Sequence, residues 1–267
     1  MSRIKQKFSE LKKQQRCALI TYICGGDPDF STSLNLLKAL PENGADLIEI
    51  GVPFLDPAGD GPIIENASRR SISSGMNLHK IFKLAEEFRN DNKVTPLILM
   101  SYFNPLLKFG IDKIFKQAQE SGFDGILIVD LPLEEEKEIL KELKKTSLDF
   151  IRLIAPNTGV ERIKKICKNA SGFLYLISMF GITGTQLAIA KDNQRNLQQL
   201  QEISKLPIAI GFGIQNPTQA QEFAKLKVDG LVIGSVIVKE MGENIAKESM
   251  LDNALHTVKN FARNINL

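Results

Sequence analysis

Eight short apolar runs, each bounded by Gly, Pro or Asp, recur along the 267 residues, and they constrain the fold more than any other feature. They are CALITYICG (17–25), DLIEIG (46–51), PLILMSY (96–102), GILIVDL (125–131), FIRLIAP (150–156), GFLYLIS (172–178), PIAIGFGI (207–214) and GLVIGSVIV (230–238). Near-continuous Val/Ile/Leu runs of this length suit parallel strands covered on both faces. Between them lie stretches with helical spacing, such as Leu34, Leu37 and Leu40, or Ile111, Ile114, Phe115 and Ala118. LEEEKEILKELKK places acids first and lysines last, in accord with the helix dipole. Eight strand-like runs alternating with helices predict an α/β fold, the (β/α)8 TIM barrel. A doubly wound sheet is the rival, but no glycine-rich dinucleotide turn follows the first run. With no linker or low-complexity tract, residues 1–267 read as one barrel domain. SRIKQKFSELKK adds a helix before strand one, and NLHKIFKLAEEFRN an extra helix before strand three.

The balance of 43% apolar and 24% charged residues is that of a globular chain able to bury a large core. A net charge of +3 is too weak to argue for nucleic acid. The basic excess sits in MSRIKQKFSELKKQQR, which reads as a helix with a solvated basic face. No apolar run approaches the roughly 20 residues that span a bilayer, and the first residues lack the apolar centre of a secretion signal. The expectation is a soluble chain that stays where it is made. Cys17, Cys24 and Cys167 are odd in number and show no CxxC spacing, so they read as reduced thiols rather than disulfides or zinc ligands. The 25 Lys against 9 Arg, with 30 Ile, point to AT-rich coding, which fits a bacterial cytoplasm or the stroma of a plastid that encodes the gene.

In a barrel of this kind the chemistry sits at the carboxyl ends of the strands, which restricts the search. Run seven ends in GFGIQNP and run eight passes into Gly234–Ser235. Loops after strands seven and eight commonly hold phosphate, because glycine lets backbone approach the anion and a helix N-terminus offers free N–H groups. Gly211, Gly213, Gly234 and Ser235 are the candidates, and GITGTQ (181–186) adds the amide of Gly184.

At the other side of the mouth, Glu49 interrupts run two between isoleucines. If Ile48 and Ile50 face the helices, Glu49 faces the barrel mouth, where partial desolvation raises its pKa and suits it to proton transfer. Asp60, at the far end of the constrained loop VPFLDPAGDGP, can face the same pocket. Tyr22, Met100, Leu127, Tyr175 and Phe212 lie at or near strand ends and suit a flat apolar substrate portion, although core packing is the common use of each. None of the runs carries a lysine for Schiff-base chemistry, and His79 and His256 fall in helical stretches, away from a metal site or a Ser–His–Asp triad. No metal site is expected. What remains is carboxylate acid–base chemistry on a phosphorylated substrate.

These residues also resemble a known family. IEIGVPFLDPAGDGP is similar to the signature [LI]-E-[LI]-G-[VI]-P-F-S-D-P-x-A-D-G-P of tryptophan synthase alpha chains. YICGGDP (22–28), LMSYFNP (99–105), DGILIVDLPLEE (124–135), YLISMFGITG (175–184), GFGI (211–214) and VIGS (232–235) follow in matching order along essentially the whole chain. The resemblance implies a retro-aldol cleavage of indole-3-glycerol phosphate to indole and glyceraldehyde 3-phosphate, without cofactor in this chain. It implies that Glu49 protonates indole C3 and assists proton removal from the glycerol hydroxyl, while Asp60 binds the ring N–H. It implies that Tyr175 and Thr183 shape the site and that the amides of Gly184, Gly213, Gly234 and Ser235 hold the phosphate. It implies docking to a pyridoxal-phosphate-dependent beta subunit in an α2β2 complex, through positions matching Pro53, Asp56, Asn104 and Pro132. Leu55, Ala58–Gly59, Met179 and Phe180 depart from the family pattern, and Gly59 predicts a looser Asp60 loop. Two other readings are a phosphosugar isomerase on the same barrel and a catalytically silent activating subunit.

Overall fold

A computed structural model describes residues 2–177, 195, 197–211, 213–245 and 247–265. All eight apolar runs form strands: β1 (Ala18–Cys24), β2 (Leu47–Gly51), β3 (Leu97–Ser101), β4 (Gly125–Ile128), β5 (Asp149–Ile154), β6 (Leu174–Ile177), β7 (Ile208–Gly211) and β8 (Gly230–Ile233). They pair in parallel in sequence order, and β8 closes on β1, giving the expected (β/α)8 barrel. Among the described helices are α1 (Arg3–Lys13), α2 (Phe30–Ala39), α3 (Pro62–Ser73), α4 (Leu78–Asp91), α5 (Phe103–Phe109), α6 (Ile111–Glu120), α7 (Glu136–Leu143), α8 (Val160–Asn169), α9 (Pro217–Ala224), α10 (Ser235–Glu243) and α11 (Met250–Ile265). Helix α1 and the extra helix α4 fall where the sequence places them. Helix α5 is an addition that the spacing did not signal.

Two cores follow from strand alternation. Residues facing outward, such as Ile48, Ile50, Leu97 and Leu99, pack against the helices, with Phe82, Phe88 and Phe115 filling the layer between. Residues facing inward, among them Leu47, Ile98, Leu127, Ile151 and Phe173, fill the barrel itself. Ile4, Phe8 and Leu11 of α1 join this inner cluster and stop the amino-terminal end of the barrel. The basic helix therefore has a solvated face, as expected, but its other face is a plug.

Carboxylates tie the strands together at that same end. Asp46 accepts the Leu19 N–H at 2.9 Å, Asp124 accepts Leu97 N–H at 2.9 Å and Asp229 accepts Ile208 N–H at 2.8 Å. Asp124 also holds Arg89 at 2.8 Å and Arg3 at 2.7 Å, anchoring α4 and α1 to the sheet. Arg152 of β5 and Glu136 of α7 form a further buried ion pair, so Glu136 does more than complement a helix dipole. These contacts leave the carboxyl ends of the strands to carry chemistry.

Candidate active site

The strand alternation decides where Glu49 points. Its neighbours Ile48 and Ile50 belong to the outer core and Leu47 to the inner one, so Glu49 shares the inward face with Leu47. Register places it beside Tyr22 of β1 and Ile98 of β3. Its side chain lines a cleft of about 140 Å3 at the barrel mouth, with Tyr22, Asp60, Met100, Tyr175 and Gly234 among the other walls. Glu49 is 0% exposed, and neither carboxylate oxygen has a hydrogen-bond partner among the described residues. A buried acid left unpaired has to be neutral to be tolerated, and burial pushes its pKa up to about 8. The cleft therefore contains a protonated carboxylic acid near neutral pH.

Asp60 reaches the same cleft from the loop between β2 and α3. It directly precedes Gly61, the N-cap of α3, which makes no side-chain capping bond. The positive end of the helix dipole thus lies beside the carboxylate. Burial raises the Asp60 pKa and the like charge of Glu65 adds to that, while the nearby Tyr102 hydroxyl lowers it. Half-exposed and beside that hydroxyl, Asp60 is the carboxylate suited to holding charge where Glu49 holds a proton. Unequal environments for two acids are a common means of separating acid and base roles.

Helix α3 is fixed to the end of β1 by a two-pronged ion pair, Arg70 to Asp27, with both contacts at 2.8 Å. The Ser71 hydroxyl donates to the Gly25 carbonyl at 2.7 Å in support. This brings Ile64 of α3 to the cleft wall. Tyr22 and Tyr175 both line the cleft, and both phenols are pushed to a higher pKa mainly by burial, with the Glu49 charge contributing. Each phenol lies against a glycine. A Cβ on Gly51 would fall 2.3 Å from the Tyr22 hydroxyl, and one on Gly211 would fall 2.2 Å from that of Tyr175.

Gly213, Gly234 and Ser235 gather at one side of the cleft. Gly213 has φ +84°, in the left-handed region that favours glycine. Gly234 is the N-cap of α10 and makes no side-chain cap, so the first N–H groups of that helix face the cleft without a built-in acceptor. Helix α9 differs, because the Asn216 side chain accepts the Gln219 N–H at 2.9 Å and closes that end. Of these two helix starts, only the one after β8 lacks a side-chain acceptor.

The sequence expectations divide accordingly. Tyr22, Glu49, Asp60, Met100, Tyr175, Gly213, Gly234 and Ser235 come together in one cleft. Leu127 does not reach its wall and is fully buried in the barrel interior beside Met100. Thr183, Gly184 and Phe212, with Met179 and Phe180, lie outside the described residues. Pro53 is buried at the base of its loop, whereas Asp56, Asn104 and Pro132 are exposed. Sequence reading missed Ile64, Ile214 and Val232 as cleft walls. Val232 was within reach, since it lies two residues before Gly234 and so shares its face.

The family model for the tryptophan synthase alpha chain matches residues 8–266. The chain belongs to the tryptophan synthase alpha chain family. The solved structure of tryptophan synthase subunit alpha from Legionella pneumophila is similar at 32% identity and a TM-score of 0.91, covering 99% of this chain and 98% of that one. A structure from Aquifex aeolicus matches at 32% identity and a TM-score of 0.89, over 100% of both chains. Tryptophan synthase from M. tuberculosis matches at 27% identity and a TM-score of 0.88, again over 100% of both. As an alpha chain, the protein is a lyase of tryptophan biosynthesis that works with a beta chain, and pyridoxal phosphate belongs to that partner.

Proposed function

We propose that this chain carries out the alpha reaction with Glu49 as its proton carrier and Asp60 as its electrostatic partner. The reaction cleaves indole-3-glycerol phosphate to indole and glyceraldehyde 3-phosphate. The observation that carries the assignment is the burial of Glu49, unpaired and protonated, at the wall of the cleft. The indole ring enters between Tyr22, Met100 and Tyr175, and the phosphate lies against the amides of Gly213, Gly234 and Ser235. Glu49 gives its proton to C3, which turns the aromatic ring into a cation. Asp60 accepts a hydrogen bond from the ring N–H and offsets the new positive charge. The Glu49 carboxylate then takes the proton from the glycerol hydroxyl next to the ring. The carbon–carbon bond breaks, its electron pair restores aromatic indole, and the aldehyde leaves. Phe212 and Gly184 remain proposals from their place in the sequence, and Thr183 from the resemblance.

The partner surface belongs to the same reading. Asp56 and Pro132 are exposed in loops that follow strands, Asn104 is exposed in the first turn of α5, and Leu55 and Leu107 nearby in sequence are 52% and 54% exposed. An apolar rim of this kind suits docking of the beta chain in an α2β2 complex, with Pro53 supporting the loop from below. One barrel domain over 1–267 and a bacterial cytoplasm or plastid stroma complete the proposal, the free Cys17, Cys24 and Cys167 suiting a reducing compartment. The isomerase and silent-subunit readings have no observation in their favour. Indole release by the purified chain, with and without a beta subunit, tests the reading. Glu49→Gln is expected to abolish release while glycerol 3-phosphate still binds; near-wild-type turnover in that variant would refute the roles.

A further inference from the structure

Tyr102 is not among the residues that line the cleft, yet it touches the Asp60 loop at three points. It directly follows β3 and is 5% exposed. Its ring packs against Phe54 in the loop between β2 and α3, with centroids 5.6 Å apart and planes inclined at 34°. Its hydroxyl accepts the Gly59 N–H at 3.1 Å, and it lies close enough to the Asp60 carboxylate to lower that group's pKa. A phenol has one proton to donate and lone pairs to accept with, so accepting from Gly59 leaves the proton for Asp60. The bond from Gly59 and the interaction with Asp60 are therefore compatible in direction. A Cβ on Gly59 would lie 3.5 Å from the hydroxyl and 3.9 Å from Val129, ordinary contact distances. The tie thus depends on the Gly59 N–H and not on the lack of a side chain there.

We propose that Tyr102 is a positioning residue of the alpha reaction, its hydroxyl clamping the loop at Gly59 and aiming the Asp60 carboxylate into the cleft. It acts on rate through Asp60 and does not touch the substrate. The inference rests on the Asp60 role assigned above. The groups around Asp60 are Glu65 of α3, Tyr22 and Cys24 of β1, and Tyr102 itself. Glu65 and burial raise the Asp60 pKa, and Tyr102 opposes them. Losing the hydroxyl therefore moves ionisation of Asp60 to higher pH.

The test is Tyr102→Phe, which keeps the ring on Phe54, assayed together with the beta subunit across the pH range. The expected result is a fall in kcat of about tenfold with KM within about twofold, because misaimed groups cost rate more than binding. The acid limb of the kcat profile should move to higher pH, which a purely structural defect would not produce. In an Asp60→Asn background, adding Tyr102→Phe should lower kcat by less than about threefold, since two residues that act as a unit are not additive. Wild-type kcat with an unmoved acid limb in Tyr102→Phe overturns the inference, and so does full additivity in the double variant. Wild-type kcat in Asp60→Asn alone overturns the Asp60 assignment itself, which separates the two failures.

Discussion

Replacing Glu49 by Gln should make the protein inactive and, above acid pH, more stable. In the unfolded chain the carboxyl titrates near 4.5, and in the fold burial holds its proton until about pH 8. At about 1.4 kcal/mol per unit, that shift corresponds to about 5 kcal/mol of differential cost for the charged form. The sign follows from proton counting. Below pH 4.5 both states are protonated and the contribution of Glu49 is fully present. Between 4.5 and 8 the folded chain binds the extra proton, so stability falls as pH rises, and it levels off above the folded pKa. Gln cannot titrate, so the variant lacks this slope. Other raised acids, including Asp27 and Asp229, titrate alike in both proteins and cancel in the difference. Urea unfolding followed by circular dichroism should therefore show the stability gap between variant and wild type widening by about 4 kcal/mol from pH 5 to pH 8. Indole release should fall by at least about a hundredfold at every pH, the usual scale for a lost general acid. A stability gap that stays flat over this range would mean that Glu49 is charged in the fold, and the argument for it as resting acid would fail.

Three further outcomes are expected. Gly51→Ala places a Cβ 2.3 Å from the Tyr22 hydroxyl, so the ring must turn into the cleft; KM should rise about tenfold while stability falls by less than about 2 kcal/mol, read by steady-state kinetics and urea melts. Asp124→Ala leaves Arg89 buried without its carboxylate at 2.8 Å. It should cost about 3–5 kcal/mol in urea unfolding while kcat per folded molecule stays unchanged. Gly213→Ala forces a side chain onto φ +84° and should cost about 1–2 kcal/mol of backbone strain, with weaker glycerol 3-phosphate binding by calorimetry and no change in the acid limb of the rate profile.

The barrel was legible because each strand is buried on both faces and so appears as an unbroken apolar run, with Gly, Pro or Asp marking its ends. Glu49 was legible for the same reason: in such a run a charge stands out, and alternation fixes its face. Helix α5 was not. FNPLLKF is seven residues long, holds Pro105 in its first turn and buries Leu106 alone, too little for a periodic signal. Tyr102 escaped because its partners Phe54, Gly59 and Asp60 lie more than forty residues upstream, a distance at which spacing carries no information. Helix α1 was half legible. Its basic face is evident, but that Ile4, Phe8 and Leu11 stop the barrel depends on where the helix docks. The expectation that Gly59 loosens the loop took composition as its guide, whereas the structure ties that N–H to a phenol.

The glycines at the strand ends need a finer account than contact with phosphate. Gly51, Gly211 and Gly234 each stand two residues after an inward-facing position: Glu49, Ala209 and Val232. A Cβ on any of them would strike a tyrosine, Tyr22 for Gly51 and Gly234, Tyr175 for Gly211. The chain has three tyrosines and no tryptophan, and all three phenols feel the charge of Glu49 or Asp60. Two of the rings can wall the cleft without filling it only because the neighbouring strand offers bare backbone for them to lie on. Gly213 is different, since its φ alone calls for glycine, whereas Gly234 has φ −140° and is constrained by the Tyr22 side chain at 2.9 Å. Alanine at these two positions should thus fail for separate reasons, strain at one and a displaced ring at the other. The same reasoning recasts the spacing E-I-G: the acid at position 49 and the empty space at position 51 belong together, because the ring that shields Glu49 from water needs the room that Gly51 leaves.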